Sequence, residues 1–595
     1  MGSLSPSLWV IGLPFVGAAV VTIAGSKREK LVPGIAVLFG LLGAAFAALM
    51  IRDMAGGKTL VTVRGLGLPV VSDGLGAFMA GTASVIGALV LIYSVAYMAH
   101  EHGKTKYYAL VLLVIGAMSG QSLSGNLLWL CAFWEICEAA GLSLIGFNKD
   151  DPKAVAGARK GLLMSVIADI GLFGGTMVLY AATVPHTFDI ATIISKAADG
   201  TIPHGALTAA AFLMLVGAIG KSAQIPMQVW LPDVMESPSS ASALIDAATM
   251  VNGGAFLLAR MYPAFKEVPG WAVTVMWVGA TTLILAALEA LAARHLKKML
   301  AYSTMSQIGY MFFALGSGGV LASQFHLVSH AVFKALLFMA AGAVIHETGT
   351  KDIAEMSGVG KKMPITGVLF LFGVMGLSGI PLFSGFFSKD MILATALEHK
   401  AYLPLGIAVL GAITTFTYSW RSYLSVFGGS VSPAASRAHE AHPLMLVPMA
   451  VLAVGTFTSW LLIGVQSGGV AVSTGHHVHA VSVGDLVQET LASPALYLSL
   501  LASFVGVLLV ANRTRIFSWL ERRAPGFMRA SSEGFYFDTV YSALVHRLFS
   551  KFPRLVERYD KDSEILGHAV GGTGTSGARR LGHRQTGGSR GPNRG

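Results

Sequence analysis

The chain has 595 residues, of which 54% are hydrophobic and 12% charged, with 70 glycines and a mean hydropathy of +0.66. That composition excludes an ordinary water-soluble enzyme and is that of an integral membrane protein. Lys and Arg number 42 against 31 Asp and Glu, a net +11, but residues 511–595 hold 15 basic and 7 acidic side chains, so +8 lies in the tail and +3 in the rest. In so apolar a chain the basic excess reports membrane topology, and nucleic acid is not an expected partner.

The two cysteines, Cys131 and Cys137, share one apolar stretch, and six residues of helix hold them roughly 9 Å apart. That is too far for a disulfide, and two thiols do not make a metal site. The first apolar run has no basic residue before it, so it reads as a first span and not as a cleaved signal.

In chain order, apolar runs predict about fifteen transmembrane helices, centred near residues 17, 41, 86, 115, 137, 172, 218, 251, 281, 310, 335, 380, 414, 455 and 503. Strand alternation is missing, so the fold class is an all-α polytopic membrane protein and not a barrel. With the N-terminus outside, the loops 27–30, 101–106, 147–160, 293–298, 347–363 and 421–440 and the tail face the cytoplasm. Thirty-two Lys and Arg then lie inside against 6 outside, the bias expected of cytoplasmic loops. The expected organisation is residues 1–106 as three N-terminal helices, 107–262 and 263–427 as two five-helix repeats, 428–512 as two further helices, and 513–595 as a basic cytoplasmic tail. Within the tail, Phe535 to Phe549 reads as a surface amphipathic helix and residues 566–595 as a disordered end. His476, His477 and His479 fall in an outside loop of Gly, Val and Ser and read as solvated.

Charges at bilayer depth cost a few kcal/mol each and mark ion pathways. Glu135 and Glu138 fall in span five, Asp169 in six, Lys221 in seven, Asp246 in eight, Glu289 in nine, Lys334 in eleven, and Lys389 with Asp390 at the far end of twelve. Structural ion pairing explains one such pair, but poorly a row across eight helices. Spans seven and twelve are also interrupted, by Pro226 five residues after Lys221 and by Pro381 ahead of Gly385 and Lys389. Proline at such a depth frees backbone groups that must be buried or meet water. The breaks lie five spans apart, and an odd-numbered repeat must be inverted, which points to a transport route between two halves. In span eleven, His326, His330 and Lys334 at i, i+4, i+8 share one face over about 12 Å of depth. Histidine exchanges protons near neutral pH and desolvation disfavours a charged lysine, so the row can pass protons.

Six stretches, FWEICEAAGLSLIGF, GKSAQIPMQVWLPD, SALIDAATMV, LAYSTMSQIGYMFFALG, FHLVSHAVFKALLF and GFFSKDMIL, resemble the antiporter-like subunits of respiratory complex I, most closely the subunit L type of NADH-quinone oxidoreductase. Mrp-type sodium/proton antiporters and membrane-bound hydrogenases contain relatives. The resemblance implies proton translocation driven by redox chemistry in partner subunits, with Glu135 and Lys221 as an ion pair, Asp169 as the acidic residue of span six, His326, His330 and Lys334 as the central relay, and Lys389 as the point of release. Asp246 stands where the family has histidine, and Glu138 and Glu289 are acids without a family role. The chain ends where subunit L continues into a long lateral helix and a last span. No flavin, iron-sulfur or nucleotide motif occurs, so FMN, iron-sulfur clusters and quinone are expected only in partner subunits. The expected setting is the inner cell membrane, amid other membrane subunits, with protons as cargo and sodium as the alternative ion. An antiporter subunit of the Mrp or hydrogenase type is the nearest rival; a structural subunit or an inorganic-carbon carrier belongs to another class.

Overall fold

Apolar stretches with little else to satisfy their backbone become helices, and the computed structural model is built almost wholly from them. It describes residues 5–26, 28–55, 61–65, 68–474 and 480–549. The helices are α1 (Pro6–Gly25), α2 (Val32–Ala55), α3 (Gly74–Tyr97), α4 (Lys104–Leu123), α5 (Leu127–Ile145), α6 (Pro152–Ala182), α7 (Ile190–Ala198), α8 (His204–Lys221), α9 (Ser239–Ala247), α10 (Gly253–Phe265), α11 (Trp271–Ala292) and α12 (Leu296–Gly316). They continue with α13 (Val320–Thr348), α14 (Pro364–Ser378), α15 (Ser384–Glu398), α16 (Tyr402–Phe427), α17 (Pro433–Ser436), α18 (Pro443–Thr458), α19 (Ile463–Ser473), α20 (Val483–Ala492), α21 (Ala495–Ala511), α22 (Arg513–Arg523), α23 (Pro525–Ser532) and α24 (Phe537–Phe549).

Among the described residues eleven helical stretches are long and apolar enough to cross a membrane, or twelve when α20 and α21, bent by 73°, count as one. Fifteen spans requires adding α4 and α12, whose polar residues lower their hydropathy, and the short broken pair α14 and α15. The structure also contains a hairpin that the apolar pattern does not reveal: β1 (Val61–Gly65) pairs antiparallel with β2 (Leu68–Ser72), Val63 opposite Val70. Its alternating Val-Thr-Val is the signal for it. His476, His477 and His479, and residues 566–595, lie outside the described residues.

Both interrupted helices are present. α8 stops at Lys221; Ala223 takes a positive φ of 49°, and the chain resumes as a 3-10 segment, Gln228–Glu236. α14 stops at Ser378, with Gly379 and Leu382 at φ of 75° each before α15 begins. α13 is 29 residues long and almost wholly buried, packed on α9, α12, α14 and α15. Close approach through small residues sets the spacing where the first break is held. A Cβ on Gly171 of α6 would lie 2.5 Å from the Leu213 carbonyl oxygen of α8, and one on Gly220 would lie 2.5 Å from the Ala168 Cβ. Membrane helices lack a solvent-driven force between them and pack by such contacts.

Residues through Phe535 form one compact unit. The basic tail begins inside it: Ser531 Oγ of α23 donates to the Leu288 carbonyl of α11 at 2.8 Å. The second unit, from Tyr536, contributes α24, a helix at the place of the expected amphipathic segment.

Candidate functional site

α5 turns two acids inward one helical turn apart. Its buried face carries Leu130, Trp134, Cys137, Glu138 and Gly141, and Glu138 is 3% exposed. Its Oε2 accepts from Lys221 Nζ at 2.7 Å, and the ammonium also donates to the Trp134 carbonyl at 3.3 Å. The expected partner of Lys221 was Glu135, and the structure corrects that pairing. Three residues along a helix leave two side chains only some 60° apart, so Glu135 neighbours Glu138 on α5 and interacts with Asp169 of α6, while Glu138 accepts the Lys221 bond. Glu135 is half-buried beside Asp169, itself half-buried, and its Oε1 has no hydrogen-bond partner among the described residues. Trp134 links the two groups: its ring lies 4.6 Å from Lys221 Nζ, and its indole N–H donates to Asp169 Oδ1 at 3.0 Å.

The break after Lys221 opens a polar interior. Asp246 on α9 is fully buried, neither of its carboxylate oxygens has a hydrogen-bond partner among the described residues, and it faces the charges of Lys334 and Lys297. Gln121, Gln224, Gln228, Asn252 and Gln307 also bury polar atoms without a hydrogen-bond partner among the described residues. Buried polar atoms are satisfied by ordered water where protein does not reach them. Such a succession is the expected lining of a hydrated route.

α13 places the next three groups as its periodicity requires, all with no exposed surface. Lys334 Nζ donates to the Leu300 carbonyl and to Ser303 Oγ on α12, each at 2.6 Å. The His330 and His326 rings lie 6.4 Å apart. Neither His330 nitrogen has a partner among the described residues, while His326 Nδ1 bonds Ser388 Oγ at 2.9 Å. Ser388 precedes Lys389, so the second broken helix continues the row directly. Lys389 Nζ donates to the Leu377 carbonyl at 2.5 Å, one of the carbonyls freed where α14 ends. Asp390 accepts from Ser499 of α21 at 2.9 Å and lines a cavity of about 590 Å³ together with Glu398, His399 and Glu489.

At the other end, Lys160 and Lys298 flank Asp233 at 2.8 and 3.6 Å, Lys351 pairs with Glu236, and the buried Lys297 donates to the Ser237 carbonyl at 2.5 Å. Sequence reading missed Lys297. It stands in the pair Lys297-Lys298 beside a loop, where a basic residue reads as a topology signal and not as a buried one. The structure brings the expected residues together in two groups: Asp246, Lys334, His330, His326 and Lys389 follow one another around α13, and Lys221 lies with Glu135 and Asp169 around Trp134. Among the described residues no cluster of His, Cys, Asp and Glu is arranged to hold a metal.

Known proteins have this architecture. Residues 124–415 match the transmembrane domain family described as NADH:quinone oxidoreductase/Mrp antiporter, and residues 65–108 match the N-terminal domain of NADH-ubiquinone oxidoreductase (complex I) chain 5. The chain is 37% identical over 452 residues to NAD(P)H-quinone oxidoreductase subunit 5 of Paulinella chromatophora, covering 71% of this chain and 67% of that one. It is 33% identical over 493 residues to Na(+)/H(+) antiporter subunit A1 of Staphylococcus aureus, covering 78% of this chain and 61% of that one. The solved Mrp complex of a Dietzia species superimposes with a TM-score of 0.78 at 24% identity, over 98% of this chain and 64% of its counterpart, a likeness of fold. With buried lysines on two broken helices and these matches along its length, the chain belongs to the family of antiporter-like membrane subunits shared by complex I and the Mrp antiporters.

Proposed function

We propose that this chain carries protons across the membrane as a subunit of a complex I-like NADH-quinone oxidoreductase, with its redox centres in partner subunits. One observation supports the reading above the others: Asp246, Lys334, His330, His326 and Lys389 form a buried row, and Lys221 is buried against Glu138 at the first helix break. A structural subunit has no need of lysines held at full burial by backbone carbonyls and a hydroxyl. Moving one charge against 100 mV costs about 2.3 kcal/mol, and a tenfold change in proton affinity is worth about 1.4 kcal/mol. Small changes in the surroundings of Lys221 or Lys334 are therefore of the size needed to drive a proton.

In this reading the chain has fifteen spans, the N-terminus outside, and two inverted five-helix repeats around the breaks at 222–227 and 379–383. It sits in the inner cell membrane among other membrane subunits. Protons are taken up at the cytoplasmic cluster of Lys160, Asp233 and Lys351 and leave through the cavity beside Asp390. The resemblance to the staphylococcal antiporter subunit favours a second reading, in which sodium is exchanged for protons. The test is proton uptake by vesicles holding the purified complex, driven by quinone reduction. Lys334→Ala is expected to abolish uptake with the complex still assembled. Full uptake by that variant would defeat the proposal, and proton movement that follows a sodium gradient would favour the antiporter.

A further inference from the structure

Glu138 is a buried acid that the proton axis as described does not use, yet it is the group that binds Lys221. Its neighbours form a site with two alternative acceptors. Glu135 and Glu138 are three residues apart on α5, so their Cβ atoms are about 5–6 Å from each other. Glu138 holds the ammonium at 2.7 Å. Glu135 is close enough to interact with the same charge, and its buried Oε1 is unpartnered among the described residues. The Trp134 ring lies against the ammonium at 4.6 Å, an aromatic face that tolerates a cation along its surface. Its N–H meanwhile keeps Asp169 on the Glu135 side. Lys221 is the last residue of α8, so the stem is anchored where the helix gives way to irregular backbone.

We propose that Lys221 is handed between two carboxylates: Glu138 holds it in the arrangement seen, and Glu135 takes it in the alternative one, with the Trp134 face between them. Glu138 is thus a positioning residue of the transport cycle. The inference rests on the reading of this chain as a proton carrier. A buried ammonium with a single partner is trapped, because leaving that partner strands an uncompensated charge. A second carboxylate one turn away removes the trap. The exchange itself breaks no covalent bond. In the alternative position one N–H bond of the ammonium breaks, its electron pair stays on Nζ, and a water oxygen on the way to Asp246 takes the proton.

The experiment compares proton uptake by vesicles holding the intact complex with Lys221→Ala, Glu138→Gln, Glu138→Asp and Glu135→Gln. Assembly is read from the purified subunit composition. Lys221→Ala should abolish uptake, and Glu138→Gln and Glu135→Gln should each lower it at least about tenfold. Glu138→Asp, which restores the charge at a shorter reach, should recover uptake to between the Glu138→Gln and parent rates. Uptake by Glu138→Gln within about twofold of the parent, beside a null Lys221→Ala, would overturn this inference and leave the proposed function standing. Parent-like uptake by Lys221→Ala would remove the proposed function itself. If Glu138→Gln does not assemble, Glu138→Asp decides: a slowed rate supports the exchange, and an unchanged rate overturns it.

Discussion

Lys221 Nζ lies 2.7 Å from Glu138 Oε2, with the two side chains 1% and 5% exposed. Removing one member of such a pair leaves a naked charge and costs about 3–5 kcal/mol, while replacing both by apolar groups of similar size is close to neutral. Glu138→Leu or Lys221→Met alone should therefore lower the thermal unfolding midpoint of the purified protein. The double variant should recover most of that loss while remaining unable to move protons. A double variant whose loss equals the sum of the two singles would show that the residues are not coupled.

Lys334 is held differently, by two neutral acceptors and not by a carboxylate. A hydrogen bond to a charged group contributes about 1.5–3 kcal/mol, and Ser303→Ala removes one of the two. The lysine should then rest less firmly against α12, and proton uptake should fall severalfold with assembly intact. Ser303→Thr, which keeps the hydroxyl, should stay near the parent rate. Equal rates in the two variants would place the control of Lys334 elsewhere.

Asp246 has neither carboxylate oxygen bonded among the described residues and stands between Lys297 and Lys334. An acid in that position offers a proton relay and a counter-charge at once. Asp246→Asn keeps the shape and polarity but neither function, and it should reduce uptake about as much as Lys334→Ala. Uptake unchanged in Asp246→Asn would route the proton around α9.

The row His326, His330 and Lys334 was legible in the sequence, because i, i+4, i+8 spacing on an uninterrupted helix fixes one face, and α13 is uninterrupted. The breaks were legible for a related reason: proline at Pro226 and Pro381 cannot continue a hydrogen-bonded helix. Rotation of α5 was not legible. Glu135 and Glu138 are equally apolar in their surroundings along the sequence, and only the packing of α5 against α4 and α6 decides which of them meets Lys221 at the end of α8. The same limit hid Lys297, whose burial depends on the 3-10 segment folding over it, while the alternation that marks β1 covers only five residues and was overlooked beside the long apolar runs.

A second buried ion pair fixes the outer frame of this packing. Both terminal nitrogens of Arg260 on α10 bond the carboxylate of Asp73, Nη2 to Oδ1 at 2.8 Å, and Nη2 also reaches the Ser122 carbonyl. Asp73 in turn caps α3 by accepting from the Gly76 N–H at 2.9 Å. One side chain thus ties α3, α4 and α10 together. Lysine cannot reproduce the planar two-pronged contact. Arg260→Lys and Arg260→Ala should both destabilise the protein, the latter by about 3–5 kcal/mol, seen as a lower unfolding midpoint and poorer assembly. A stable Arg260→Lys would mean that charge alone suffices.

His295 lies in the loop before α12 and caps that helix, its Nδ1 accepting from the Lys298 N–H at 3.2 Å. Burial pushes its protonation down to about 4 from 6.5, and the nearby Lys351 ammonium adds to the effect while Glu236 opposes it. The folded value is below the unfolded one, so the unfolded chain binds the proton first. The stability this histidine contributes is complete above about pH 6.5 and is lost as the pH falls from there toward 4. Protonation also converts Nδ1 from acceptor to donor and breaks the cap. His295→Asn retains a good N-cap and cannot titrate. The unfolding midpoint of the parent should therefore fall more steeply than that of His295→Asn between pH 6.5 and 4, and the two should run parallel above pH 7. Parallel curves over the whole range would assign the acid sensitivity to other groups.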